Sequence, residues 1–332
     1  MSKPVRLFCL LLSLLFILAL PFLVPSGSML ESAQEALLDE TYDSLDDWED
    51  INSSSIFDFL FPSVKAESDL EPLPMDFSGG RKPIYESYTL EGYEDPSISL
   101  KLETLDRDNV VWRIARVKIV HPSQLRTELV ESKYPPLISS MAKKKNAVIA
   151  INANYITNDP VKTSFEFRMG KKIRAKLNKA KDLLVTDENG DFHLFVKSAK
   201  EEVKAFTEAG HTIINAFTFG PALVKDGELL QLDPKYGYHP DGKEPRMAIG
   251  QTGPLEYIMV LAEGRSAASE GVTHQTLAEF MLEQGCLQAF NLDGGNSATM
   301  VFNEGFYQRK TIGNERPQSD MIYFATLAGA AE

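Results

Sequence analysis

From residue 97 onward the sequence is a succession of short apolar segments, many alternating with polar residues and several separated by tight turns rich in Gly, Asn or Asp. Successive side chains of a strand point to opposite faces, so a period of two buries one face of a sheet. In 97–102, Ile98, Leu100 and Leu102 share a face. In 110–119, Val111, Ala115, Val117 and Ile119 share one, Arg113 being the exception, while Arg116 and Lys118 point the other way. The Asp106-Arg107-Asp108-Asn109 turn joins these two strands. Segments 183–186 and 192–195 flank Glu188-Asn189-Gly190, where Asn-Gly suits a primed hairpin turn, and 223–230 folds over Lys225-Asp226-Gly227. Further strands are expected at 147–152, 213–219, 246–250, 257–262, 287–292, 300–302 and 321–326. Two segments carry helix signals. Residues 135–145 end in the basic cluster Lys143, Lys144 and Lys145, which suits a helix dipole without needing a ligand. Residues 274–284 begin after Thr273 as N-cap and stop at Gly285. Strands outnumber helices, so the expected class is α+β: one domain over 84–332, with a mixed, mostly antiparallel sheet packed on one or two helices.

The rest of the chain has a different composition. Lys3 and Arg6 precede an almost unbroken apolar run over 7–24, the pattern of a signal anchor or a cleaved signal peptide, assigned to residues 1–28. This predicts an extracytoplasmic protein, secreted or held at the membrane by its N-terminal segment. The net charge of −13 arises almost wholly between Glu31 and Glu71, where thirteen acidic residues face the single Lys65. Residues 29–83 therefore read as an acidic linker, with one short helix at 30–38. The remainder is close to neutral, so nucleic acid is not an expected partner.

Two cysteines, Cys9 and Cys286, lie in these two different regions and are not expected to pair. Cys286 reads as a small buried apolar residue. The five histidines, His121, His193, His211, His239 and His274, show no paired ligand spacing. Asp187 and Asp191 invite a calcium reading, but the loop lacks the full ligand spacing, and a plain turn is expected.

Three polar groups interrupt apolar strands. Asn291-Leu292-Asp293 runs into Gly294-Gly295-Asn296-Ser297, placing a carboxylate beside a loop of little bulk, with Thr299 as a further hydroxyl. Backbone amides of such a loop can approach an anion closely; Asp-Gly is equally an ordinary turn, and both readings stay open on local pattern. Asn152, Asn154 and Tyr155 follow a buried strand directly. Arg246 enters an apolar strand, where it either pairs with a buried carboxylate or serves an anionic ligand through its planar fork. Arg265 and Arg316 offer the same choice.

Read in order, these segments resemble the phosphodiester glycosidase family, which includes the lysosomal uncovering enzyme, N-acetylglucosamine-1-phosphodiester alpha-N-acetylglucosaminidase, and many bacterial envelope proteins. The resemblance spans about 95–326 and rests on Ile151-Asn152-Ala153-Asn154-Tyr155, Phe219-Gly220-Pro221-Ala222, Arg246-Met247-Ala248-Ile249-Gly250, Gly264-Arg265, Gly271-Val272-Thr273, Asn291 through Met300, and Glu315-Arg316-Pro317. The chain departs where the family usually has a glycine pair (Ala153-Asn154), a threonine (Met247) and a third glycine (Asn296). The resemblance implies hydrolysis of a sugar-1-phosphodiester in envelope or exopolysaccharide material, on an N-acetylhexosamine-1-phosphodiester or similar. Asp293 would act as base or nucleophile, with Arg246 stabilising the leaving phosphate and Asn154 assisting. Asn152, Tyr155, Gly220, Arg265, Gly294, Gly295, Asn296, Ser297, Thr299 and Arg316 would bind substrate, the Gly294 and Gly295 amides supporting the anion. Glu263 and Asp320 are candidates for a second carboxylate. No cofactor is required; a Ca²⁺ or Mg²⁺ on Asp293 and backbone oxygens is compatible with the residues. A non-catalytic module binding glycan or phosphate polymer is the alternative.

Overall fold

The computed structural model describes residues 80–154, 164–237, 239–308 and 315–329. The signal segment, the helix at 30–38, nearly all of the acidic linker and Tyr155 lie outside the described residues. The chain opens with the antiparallel run β1 (Gly92–Asp95), β2 (Ile98–Arg107) and β3 (Val110–Ile119), followed by β4 (Leu125–Leu129), helix α1 (Ile138–Lys144) and β5 (Ile149–Asn152). Next come β6 (Phe165–Arg168), β7 (Lys171–Ala175), β8 (Asp182–Thr186), β9 (Phe192–Phe195) and α2 (Lys200–Glu208). Then follow β10 (Asn215–Phe219), β11 (Ala222–Lys225), β12 (Glu228–Leu229), β13 (Arg246–Gly253) and β14 (Glu256–Ala262). Helix α3 (His274–Glu283), β15 (Gln288–Leu292), β16 (Met300–Phe302), β17 (Gly305–Phe306) and β18 (Asp320–Phe324) complete the series.

The strands form three sheets: eight strands in the order β1-β2-β3-β14-β13-β15-β11-β12, and two of five strands, β7-β6-β10-β8-β9 and β17-β16-β5-β18-β4. Among the described residues every strand pairing is antiparallel.

Alternation along the central strands explains the layering. Met247 and Ile249 of β13, Met259 and Leu261 of β14, and Phe290 and Leu292 of β15 pack in one cluster with Leu184, Phe192 and Phe217 of the second sheet and Ile151, Met300 and Ile322 of the third. Ala248, Ile258, Val260 and Ala289, the alternate residues, pack with Leu277, Phe280 and Met281 of α3. The eight-stranded sheet is thus covered on both faces. This corrects the one-sided reading of 110–119: Val110, Trp112 and Ile114 are buried as well, and the Trp112 ring stacks on Phe280 at 3.7 Å between centroids. Thr273 caps α3 as expected, accepting from the Thr276 amide at 3.1 Å.

Among the described residues three α-helices cover the sheets, where one or two were expected. The additional one is α2, which buries only Val203 and Phe206. The strands β4 and β6 escape the apolar pattern because they bury charge: Arg126 donates to the Ser123 carbonyl at 2.9 Å, and Glu166 and Arg168 pair with each other. A buried ion pair reads, residue by residue, like an exposed loop.

Candidate active site

The chain places a cleft of about 760 Å³ at the ends of the central strands β13 and β15, within the size range of small-molecule sites. The register pairs Met247 with Leu292 and Ala248 with Asn291. Arg246 and Asp293 are the next residues out along these two strands. The Gly295 amide then donates to the Pro245 carbonyl at 2.8 Å and closes the loop onto β13. A Cβ at Gly294 would stand 2.6 Å from that same carbonyl, so only glycine allows this approach.

The loop is pinned from the third sheet by Asn152. Its amide nitrogen donates to the Asp293 carbonyl at 2.7 Å, and its oxygen accepts from the Thr299 amide at 2.9 Å. Ser297 and Thr299 are fully buried; the Thr299 hydroxyl donates to the Ser297 carbonyl at 3.0 Å, and Arg316 Nη1 donates to Ser297 Oγ at 3.2 Å. Asn152, Ser297 and Thr299 shape the loop and do not line the cleft, whereas Arg316 does.

Asp293 lines the cleft. Burial raises its pKa above the ordinary carboxylate value, opposed by hydrogen bonds from Ser297 and the Gly294 amide and by the charge of Arg316. The Gly295 amide is committed within the protein, to the Pro245 carbonyl, which corrects the expectation that it holds the ligand anion.

Arg246 is 6% exposed. Its Nε donates to the Val272 carbonyl at 3.2 Å, Nη2 to the His239 and Gly242 carbonyls at 2.6 and 3.2 Å, and Nη1 to His274 Nε2 at 2.8 Å. Among the described residues it forms no ion pair. Burial lowers its pKa to about 10, with Arg265 adding to the effect and Glu244 opposing it. A buried cation held only by neutral groups costs free energy that an anionic ligand would offset.

His274 and Asn291 were not singled out as site residues by sequence, and both line the cleft. An arginine only donates, so His274 Nε2 accepts and its proton sits on Nδ1. Burial, then the charges of Arg246 and Lys181, lower the His274 pKa to about 3. His274 Nδ1 and Asn291 Oδ1 are buried and have no hydrogen-bond partner among the described residues. They offer a donor and an acceptor to a ligand. The Asn291 side chain is oriented by donating to the Gly220 carbonyl at 2.9 Å. Gly220, which also lines the cleft, has φ of 82°, and a Cβ there would lie 2.7 Å from the Tyr236 oxygen.

Around the rim, Arg265 donates to Glu244 at 2.5 Å and to Asn296 Oδ1 at 2.9 Å. Asn296, where the family prefers glycine, thus holds a cation. Lys181, Lys235, Arg246, Arg265 and Arg316 line the cleft against Asp293 and Glu244. This balance fits an anion and opposes a Ca²⁺ or Mg²⁺ on Asp293.

Three further expected site residues also lie outside the cleft. Asn154 is buried between Glu166, to which it donates at 3.0 Å, and Arg168, from which it accepts at 2.8 Å. Asp320 is paired with Arg168 at 2.5 Å, and Glu263 with Arg113 at 2.8 Å. Neither lines the cleft; the carboxylate that does so beside Asp293 is Glu244, itself paired with Arg265. Burial pushes the Cys286 thiol up to about 12, which suits an inert core residue.

The family model described as phosphodiester glycosidase (NAGPA) matches residues 145–325. This chain belongs to the phosphodiester glycosidase family. The match runs from the end of α1 to Ala325 and includes every described cleft residue named above. The chain is 28% identical over 188 residues to an SPbeta prophage-derived uncharacterized protein, YomE, of Bacillus subtilis (strain 168). That alignment covers 56% of this chain and 29% of the relative, so the chain spans less than a third of that relative's length. The zebrafish N-acetylglucosamine-1-phosphodiester alpha-N-acetylglucosaminidase catalytic domain, auto-inhibited by its pro-peptide, superposes with a TM-score of 0.55. That superposition covers 79% of this chain and 99% of the zebrafish domain at 16% identity, a likeness of fold.

Proposed function

We propose that this phosphodiester glycosidase hydrolyses a sugar-1-phosphodiester, breaking the bond between the anomeric carbon and the phosphate oxygen. The observation that carries this reading is Arg246, a buried cation without an ion-pair partner among the described residues, one strand away from a carboxylate whose pKa burial raises. The departing group is a phosphate monoester, a good leaving group, so protonating its oxygen matters less than in ordinary glycoside cleavage. What the reaction needs is fixed positive charge where negative charge develops. Arg246 supplies it, with Arg316 and Arg265 at the rim and His274 Nδ1 as a neutral donor beside them. Asp293 takes the proton of the attacking water or adds to the anomeric carbon itself; inversion or retention at that carbon tells these apart.

An N-acetylhexosamine as the sugar is the finer reading, supported by family membership. Asn291 Oδ1, a buried acceptor without a partner among the described residues, matches the N–H of an acetamido group. The extracytoplasmic location rests on Lys3, Arg6 and the apolar run at 7–24, which also provides the membrane link, and points to envelope or exopolysaccharide material as the substrate. Asn296 favours one second reading, a glycan- or phosphate-polymer-binding module, because its hold on Arg265 adds an anchoring contact at the rim. The test is a panel of sugar-1-phosphodiesters offered to the full chain, with release of free sugar and phosphate monoester measured. Turnover on one or more supports the enzyme; binding without turnover across the panel favours the module.

A further inference from the structure

Away from the cleft, the turn after β8 carries a cluster that sequence spacing does not reveal. We infer that Asp187, Glu188 and His211 bind a single divalent cation that accepts nitrogen and oxygen donors, zinc foremost. One ligand atom from each of the three lies within 4.8 Å of the others. His211 Nδ1 stands 3.6 Å from Asp187 Oδ2 and 3.8 Å from Glu188 Oε1. Those distances are too long for hydrogen bonds, and His211 makes none among the described residues. They are close to the edge of a tetrahedron around zinc, about 3.4 Å for bonds of about 2.1 Å.

Each group is also oriented from behind, as metal ligands characteristically are. Asp187 Oδ1 accepts from the Asn189 and Asp191 amides, both at 2.9 Å, which leaves Oδ2 toward the cluster; His193 Nε2 donates to Oδ2 at 3.0 Å. Glu188 Oε2 accepts from the Thr212 amide at 2.7 Å, which turns Oε1 toward His211. The His211 ring lies flat on Phe206, with centroids 4.6 Å apart and planes 8° apart, and this fixes where Nδ1 points. Asp187 is buried; Glu188 and His211 are half-buried and give solvent a route in. The imidazole argues against calcium, which takes six to eight oxygens. One nitrogen and two carboxylates, completed by water, suit zinc. The cation would staple the β8–β9 turn to the segment after α2.

The test uses the full chain without a polyhistidine tag, stripped with a chelator and titrated with zinc chloride by calorimetry, with thermal unfolding in parallel. The expected result is one equivalent bound and an unfolding midpoint that rises with zinc. Glu188→Gln, which keeps an acceptor for the Thr212 amide, and His211→Gln should each weaken binding by about 100-fold or more, beyond the loss typical of an outer-shell change. Both should unfold at the zinc-free wild-type midpoint. Absence of binding by wild type, equal binding by Glu188→Gln, or displacement of zinc by equimolar calcium would each overturn the site.

Discussion

Arg246 Nη1 donates to His274 Nε2 at 2.8 Å, and this single bond fixes the imidazole as a neutral donor through Nδ1. The pairing has a measurable cost in acid. His274 keeps its proton off Nε2 down to about pH 3, whereas in the unfolded chain the ring protonates near its ordinary value of 6.5. Between these values unfolding takes up a proton, so the contribution of His274 to stability falls as pH falls, by at most about 1.4 kcal/mol per pH unit. Glu166 acts in the opposite sense: burial raises its pKa to about 7, so its contribution falls as pH rises from the ordinary carboxylate range through 7. The His274 effect is therefore isolated by comparison with His274→Gln. Denaturant unfolding at several pH values should show wild type losing ground to the variant from about pH 6.5 downward. A difference independent of pH would remove the neutral-donor assignment.

Asp293→Asn preserves an acceptor for Ser297 and the Gly294 amide, so the protein should fold normally. Turnover of a sugar-1-phosphodiester should drop by about 10²- to 10⁴-fold, the range for loss of a positioned base. Full activity in this variant would reassign the chemistry.

Arg246→Lys retains a positive charge but not the planar fork that spans Val272, His239, Gly242 and His274. The expected outcome is a loss of about 10²-fold or more in kcat, in line with removing one donor from a developing anion. Affinity for inorganic phosphate, measured by calorimetry, should fall with it. Unchanged phosphate affinity would detach Arg246 from the anion.

Asn296→Gly restores the residue the family prefers and frees Arg265 from one of its two holds. Because Arg265 stands at the rim, KM should rise several-fold while kcat stays within about twofold, the signature of lost uniform binding. A change confined to kcat would place Asn296 in the reaction itself.

Gly294→Ala should destabilise the protein by about 1–3 kcal/mol, because its Cβ would meet the Pro245 carbonyl at 2.6 Å. A variant as stable as wild type in denaturant would show that the loop can move off β13.

Much of this site is legible in the sequence because it is built on strand ends. Asp293, Arg246, Gly220 and Arg265 follow or interrupt apolar runs, and with Arg316 they line the cleft. His274 was harder to see: as the first residue of α3 it has the appearance of a helix start, and its partner Arg246 is distant in sequence. Asn154 and Asp320 misled for the converse reason. A polar residue after a buried strand looks the same whether it faces a cleft or closes an internal ion pair, and here Arg168 of β6 decides the matter. The strand β6 is itself hidden by its alternating Glu166 and Arg168, whose charges are satisfied only once the sheet has formed.

Arg246 and Asp293 extend from neighbouring central strands, and the register of β13 against β15 sets the distance between them. Lys235, Glu244 and Arg265 come instead from loops outside that ladder. The cleft thus has a fixed chassis and exchangeable trim. A designer seeking a new substrate could vary Lys235, Glu244 and Arg265 while keeping the loop backbones, whose His239, Gly242, Pro245 and Val272 carbonyls hold Arg246 and Gly295.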